Sequence, residues 1–288
     1  MSGWPAPAPP PGTPAGRPAL ELRKVSMRFG GLRALTDFDL TMHPGELVGL
    51  IGPNGAGKTT AFNAITGVYA PTDGEVWVAG ERVNGMRPHR ICVRGVARTF
   101  QNVRLFKELT ALDNVRIACH AGCRTGFLAA WWLTPGHFAE EERIAARADE
   151  FLDVLGLSHR RHELARNLPY GEQRRLEIAR ALATGPKVLC LDEPAAGTNA
   201  SEKTALMELI RRIRDRFGLA ILVIEHDMRL VLGVSERVLV LDHGVTIAHG
   251  RPEEVRRDPK VIEAYLGDAY LEERHMAVPA GPAGGEGA

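Results

Sequence analysis

The run Gly52-Pro53-Asn54-Gly55-Ala56-Gly57-Lys58-Thr59 constrains this chain more than any other stretch. It fits G-x-x-x-x-G-K-[ST], the phosphate-cradling loop joining a strand to a helix. A triphosphate needs a concave ring of backbone N–H groups, and glycines let the backbone curl that tightly. The helix that follows turns its positive end to the anion. The context fits, because Glu46–Ile51 reads as a short apolar strand and Thr59–Thr66 as a helix. Lys58 is placed to reach the β- and γ-phosphates, and the Thr59 hydroxyl to reach Mg2+. Thr60 completes the nucleotide-binding set with Gly52, Pro53, Asn54, Gly55, Ala56 and Gly57.

A second apolar run, Val188–Leu191, ends in Asp192-Glu193. Ligands gather at the C-terminal ends of parallel strands. Asp192 there suits a Mg2+ shell, and Glu193, one residue beyond the strand, suits a general base that polarises an attacking water. Periodicity adds strands at Leu20–Arg28, Phe38–Met42, Glu75–Ala79, Leu219–Ile224 and Arg237–Leu241, and helices at Ala139–Leu155 and Ser201–Phe217. Strand signals vanish between about Leu112 and Leu168, which reads as a helical insertion. Strands separated by helices predict an α/β fold with a mixed, largely parallel sheet.

Composition narrows the classes. The chain has 288 residues, 44% hydrophobic and 25% charged, with a formal net charge of +1. Wholesale disorder is excluded, and near-neutral charge argues against a role in holding nucleic acid. No apolar run reaches the roughly 20 residues that a membrane-spanning helix needs. The start lacks the basic and apolar regions of a secretory signal. The four cysteines show no disulfide framework, so a reducing compartment is expected. Cys119, His120 and Cys123 lack a second pair at metal-ligand spacing. The Pro-rich start and the Gly/Ala/Pro-rich end are expected to be disordered.

With these motifs in order, residues 20–267 resemble the nucleotide-binding subunits of ABC transporters. Gln101, in Arg98-Thr99-Phe100-Gln101-Asn102, resembles the glutamine that touches Mg2+ and couples to the membrane subunit. Leu168-Pro169-Tyr170-Gly171-Glu172 sits where the family's signature motif belongs, which would serve a partner's ATP. Ala195–Asn199 stands where the loop after the glutamate belongs. His226 resembles the histidine that contacts the γ-phosphate, and Phe29 the aromatic that stacks on adenine. Two positions depart from the pattern. Pro169 replaces the signature serine and removes its hydroxyl, and Asn199 stands where Asp is common.

The resemblance implies catalytic roles for Glu193, His226 and Gln101, and metal contacts from Thr59, Gln101 and Asp192. It implies an ATPase core at 20–101 and 169–258 and a helical subdomain at 102–168 with an extra segment at 122–140. A C-terminal helical segment at 259–277 and tails at 1–19 and 278–288 complete the division. ATP and Mg2+ are the implied cofactors. The implied partners are two membrane-spanning permease subunits, a second ATP-binding subunit (a paralogue or a second copy) and, indirectly, a periplasmic or extracellular solute-binding protein. The implied location is the cytoplasmic face of the bacterial plasma membrane. The runs Asn167–Arg180 and Asp192–Asn199 and the ending Ala264-Tyr265-Leu266-Gly267 are similar to the branched-chain amino acid importer subgroup. The segment with Trp131-Trp132 is similar to an insertion in the larger ATPase subunit of those importers. A related lipopolysaccharide-export ATPase shares several of the other features, and urea or amide uptake stays open. A soluble ABC ATPase with two fused cassettes and a P-loop kinase fit less well. The chain has one P-loop and one signature, and a kinase has no use for a signature.

Overall fold

The computed structural model describes residues 16–120, 135–225 and 227–265. The tails, the Trp131-Trp132 segment, Cys123 and His226 lie wholly or largely outside the described residues.

Among the described residues, ten strands form two sheets. They are β1 (Leu20–Phe29), β2 (Leu32–Met42), β3 (Leu47–Ile51), β4 (Asp73–Val78), β5 (Glu81–Arg82), β6 (Val96–Arg98), β7 (Val188–Asp192), β8 (Ala220–Ile224), β9 (Arg237–Asp242) and β10 (Val245–Gly250). The central sheet runs β10-β9-β3-β8-β7-β6 and is parallel except for the β9–β10 hairpin. The mixed, largely parallel sheet is thus present. A second sheet, β2-β1-β4-β5, is entirely antiparallel and was not anticipated.

The helices are α1 (Lys58–Ile65), α2 (Pro88–Val93), α3 (Ala111–Cys119), α4 (Pro135–Val154), α5 (Tyr170–Ala183), α6 (Ala200–Phe217), α7 (Met228–Val234) and α8 (Pro252–Val255), with residues 259–265 helical beyond them. Observed boundaries fall mostly within three residues of those read from the pattern. Two starts differ more: β2 begins six residues before the expected Phe38, and α4 four residues before the expected Ala139. Local chemistry explains several ends. The Thr110 side chain caps α3 by accepting from the Asp113 amide at 3.1 Å. Asn199 and Glu202 close a reciprocal capping box on α6, and Gly218 ends that helix in the left-handed region.

β3, β7 and β8 are buried along their whole length, as strands covered on both faces must be. Their side chains alternate between two cores. Leu189, Leu191, Ile221 and Val223 join a core built with α3, α4, α5 and α6. Val188, Cys190, Ala220, Leu222 and Ile224 join one built with α1 and the antiparallel sheet. A third, small cluster packs Val238 and Val240 of β9 against Val231, Val255 and Val261.

Candidate nucleotide-binding site

Buried β3 delivers the chain to Gly52, whose φ of 151° belongs to glycine; a Cβ there would stand 2.0 Å from the Leu241 carbonyl oxygen. Gly57 caps α1 at φ 102°, and its Cβ would meet the Ala34 carbonyl oxygen at 2.6 Å. Behind the loop, the Gly244 amide donates to the Ala56 carbonyl at 3.0 Å, and the Thr36 amide donates to the Gly244 carbonyl at 2.8 Å. Buried Lys58 donates from Nζ to the carbonyls of Gly52 (2.6 Å) and Pro53 (2.7 Å). Asn54, Gly55 and Thr59 are exposed, Thr60 is half-buried, and Pro53 and Ala56 are buried. The first turn of α1 carries no acid, so its positive end is available to an anion.

At the end of β7 the two acids part company. Asp192 is buried and paired with buried Arg98, its Oδ2 accepting from Nη2 at 2.7 Å. Arg98 also donates to Asn63 Oδ1 at 2.7 Å and lies over the rings of Phe62 and Phe100. Glu193 turns the other way. Its φ of 47° is unusual for a non-glycine residue, and its amide is tied to the Ile224 carbonyl at 2.9 Å. Such a conformation costs on the order of 1–3 kcal/mol and persists where the surroundings over-determine it. Gln101 Nε2 donates to Glu193 Oε2 at 3.0 Å, which unites two of the expected catalytic side chains.

Glu193 and Gln101 face Lys58, Thr59 and Phe29 across one cleft of about 620 Å³. Asp192 does not line it. Phe29 is 43% exposed and sets its ring edge-on to Tyr69, with centroids 5.2 Å apart at 76°. The cleft therefore offers an aromatic face, a ring of amides with a buried ammonium, and a carboxylate. A base, its phosphates and an attacking water ask for those three features. The side-chain oxygens of Thr59, Gln101 and Glu193 are the hard donors that suit Mg2+ held together with phosphate. Arg33 and His243 also line the cleft, and Tyr69 supports Phe29. None of the three stood out in the sequence, since only tertiary structure brings them there.

The signature stretch lies apart from this cleft. Leu168 is buried and Pro169 is the N-cap of α5, which starts at Tyr170. The Pro169 carbonyl accepts from the amides of Glu172 and Gln173, both at 2.9 Å, and no side chain caps the helix. The Glu172 carboxylate is engaged by Arg160 at 3.1 Å and stands 3.7 Å from His159. Tyr170 is exposed, accepts from Arg174 Nε at 3.1 Å, and packs beside Gly197. Among the described residues no helix is long and apolar enough to cross a membrane.

Residues 35–196 match the ABC transporter family model, and residues 245–270 match the model described as branched-chain amino acid ATP-binding cassette transporter. The chain is 46% identical over 253 residues to the high-affinity branched-chain amino acid transport ATP-binding protein BraF of Pseudomonas aeruginosa, covering 88% of this chain and 99% of that one. It is 33% identical over 251 residues to the lipopolysaccharide export system ATP-binding protein LptB of Escherichia coli, covering 87% and 98%. Among solved structures, the ADP conformation of MJ1267, an ATP-binding cassette of an ABC transporter, superposes with a TM-score of 0.75 at 30% identity, covering 87% and 99%.

Proposed function

Because the chain belongs to the ABC transporter family, we propose that it is the ATP-hydrolysing subunit of an importer for branched-chain amino acids. The observation that carries the chemistry is the shared cleft of Lys58, Gln101 and Glu193. The solute is argued from the relatives. Identity is 46% to the branched-chain amino acid protein against 33% to the lipopolysaccharide-export protein, at nearly equal coverage.

In this reading the Gly52–Gly57 amides and Lys58 bind the phosphates, and Phe29 stacks on adenine. Thr59 and Gln101 hold Mg2+, which supplies charge neutralisation for the phosphate oxygens. Asp192, whose carboxylate is paired with Arg98, would reach the Mg2+ shell through water. Glu193 accepts a proton from the attacking water, and His226 contacts the γ-phosphate. The core spans 20–101 and 169–258, and 102–168 forms the helical subdomain. The Leu168–Glu172 stretch serves the ATP of a second, paralogous ATP-binding subunit, so that ATP closes the pair and hydrolysis releases it. The pair rests on two permease subunits at the cytoplasmic face of the membrane, and a solute-binding protein delivers the cargo to those subunits.

Glu193→Gln tests the chemistry. ATP binding should persist while turnover falls by about 10²-fold or more, as loss of a general base requires. In the assembled complex ATP should then hold the two ATP-binding subunits together on a sizing column. Normal turnover would remove Glu193 from the role of base. Uptake of radiolabelled leucine in cells carrying this substitution tests the solute. Unchanged uptake, or a lipopolysaccharide export defect in its place, would transfer the subunit to another system.

A further inference from the structure

Residues 99–106 form neither helix nor strand, so their backbone groups must find partners elsewhere. Several of them find two buried side chains of α5. Arg174 and Glu177, each 3% exposed, stand one turn apart on that helix. Arg174 donates from Nη1 to the Phe100 carbonyl at 2.7 Å and from Nη2 to the Gln101 carbonyl. Glu177 Oε1 accepts from the Phe100 and Arg104 amides, each at 3.3 Å. The two charges also face each other, with Nη1 3.5 Å from Oε2. The third nitrogen of Arg174, Nε, donates to the Tyr170 hydroxyl in the first turn of α5. The far side of the same loop carries the Gln101 amide to Glu193.

We propose that Arg174 and Glu177 are positioning residues that fix the Gln101 main chain to the signature helix, and so set where the Gln101 side chain stands relative to Glu193. The proposal rests on the ATPase reading above and adds a link within it. Through these bonds, a displacement of α5 moves the backbone of Phe100 and Gln101 with it. The Tyr170 end of α5 addresses the partner's nucleotide, and Gln101 addresses this chain's own. One helix turn therefore joins the two nucleotide sites of the pair. A buried bidentate guanidinium suits the task, because it grips two successive carbonyls with fixed geometry.

The test uses the full chain with MgATP. Arg174→Met/Glu177→Leu removes both charges without stranding either. A displacement of about 1 Å at a reacting group can cost about 10²-fold. The expected result is a fall in kcat of at least about tenfold with KM within about twofold, the pattern of an interaction used beyond ground-state binding. Amide hydrogen exchange at Phe100 and Arg104 should accelerate. In a Gln101→Ala background the double substitution should add nothing further, because residues acting through one group are not additive. If the double variant fails to melt cooperatively, Arg174→Lys replaces it. One ammonium cannot hold both carbonyls in the fork geometry, so its kcat should fall as well.

Unchanged kcat, losses that multiply with those of Gln101→Ala, or a rise in KM matching the fall in kcat would overturn the proposal. Normal turnover in Gln101→Ala alone would overturn the link while leaving the ATPase reading standing on Glu193→Gln.

Discussion

A glutamate held at φ 47° is tolerated for what its carboxylate reaches, the Gln101 amide at the rim of the cleft. Glycine adopts that backbone without strain. Glu193→Gly should therefore abolish turnover while leaving the melting temperature no lower than that of the parent, as thermal denaturation would read. A clear fall would mean that the carboxylate serves stability as well. Cys190, two residues before Asp192, makes a different point. Burial pushes its thiol up to about 12. The folded state holds the proton more tightly than the unfolded chain, so this contribution is complete below the ordinary thiol range and is lost as pH rises through the folded value. Alkylation at pH 8 should leave Cys190 unmodified until denaturant is added, as peptide mass spectrometry would report. Residue chemistry was legible wherever it is local. Lys58 and Glu193 announce themselves by their neighbours in sequence. Arg98, Arg174 and Glu177 do not, because their partners Asp192, Gln101 and Phe100 lie some 70 to 94 positions away.

Element by element, apolar runs were the most readable feature. Val188–Asp192 and Ala220–Ile224 declare themselves as central strands because both faces are covered. β5, β6 and β10 escaped, being two to six residues long or largely unburied. The antiparallel arrangement of β1, β2 and β4 is a matter of pairing, which alternation along one strand cannot state. Asn199 looked like a departure from a family pattern, and the structure gives it a local purpose. Its side chain accepts from the Glu202 amide at 2.9 Å, and Glu202 Oε2 accepts from the Asn199 amide at 3.0 Å. Asn199→Ala should cost about 0.5–2 kcal/mol, measurable as a lower denaturant midpoint with an unchanged slope. Asn199→Asp should keep the box, since both side chains cap well. Equal loss in the two variants would show that the cap is not what this position contributes.

For the whole molecule, the central sheet is shared ground. Leu189 and Ile221 belong to the core that holds Phe151, and Cys190 and Leu222 to the core that holds Phe38. Both phenylalanines are at most 1% exposed. Truncating either to Ala should cost about 3–5 kcal/mol. Because adjacent residues of one strand anchor the two cores, calorimetry should show a single transition displaced to lower temperature in each variant. Two resolved transitions in Phe151→Ala would mean that the helical side melts independently.

The bonds behind the phosphate loop have a further consequence. Thr36, Ala56 and Gly244 come from three distant stretches of chain and meet through amides and carbonyls. A hydrogen bond between main chains carries no memory of which side chains flank it. The floor of the cleft can thus keep its shape while the surrounding sequence drifts over evolutionary time. In a saturation mutagenesis library, half-buried Thr36 should accept a wider range of replacements than buried Ala56, while proline at Thr36, which deletes the donor outright, should be purged.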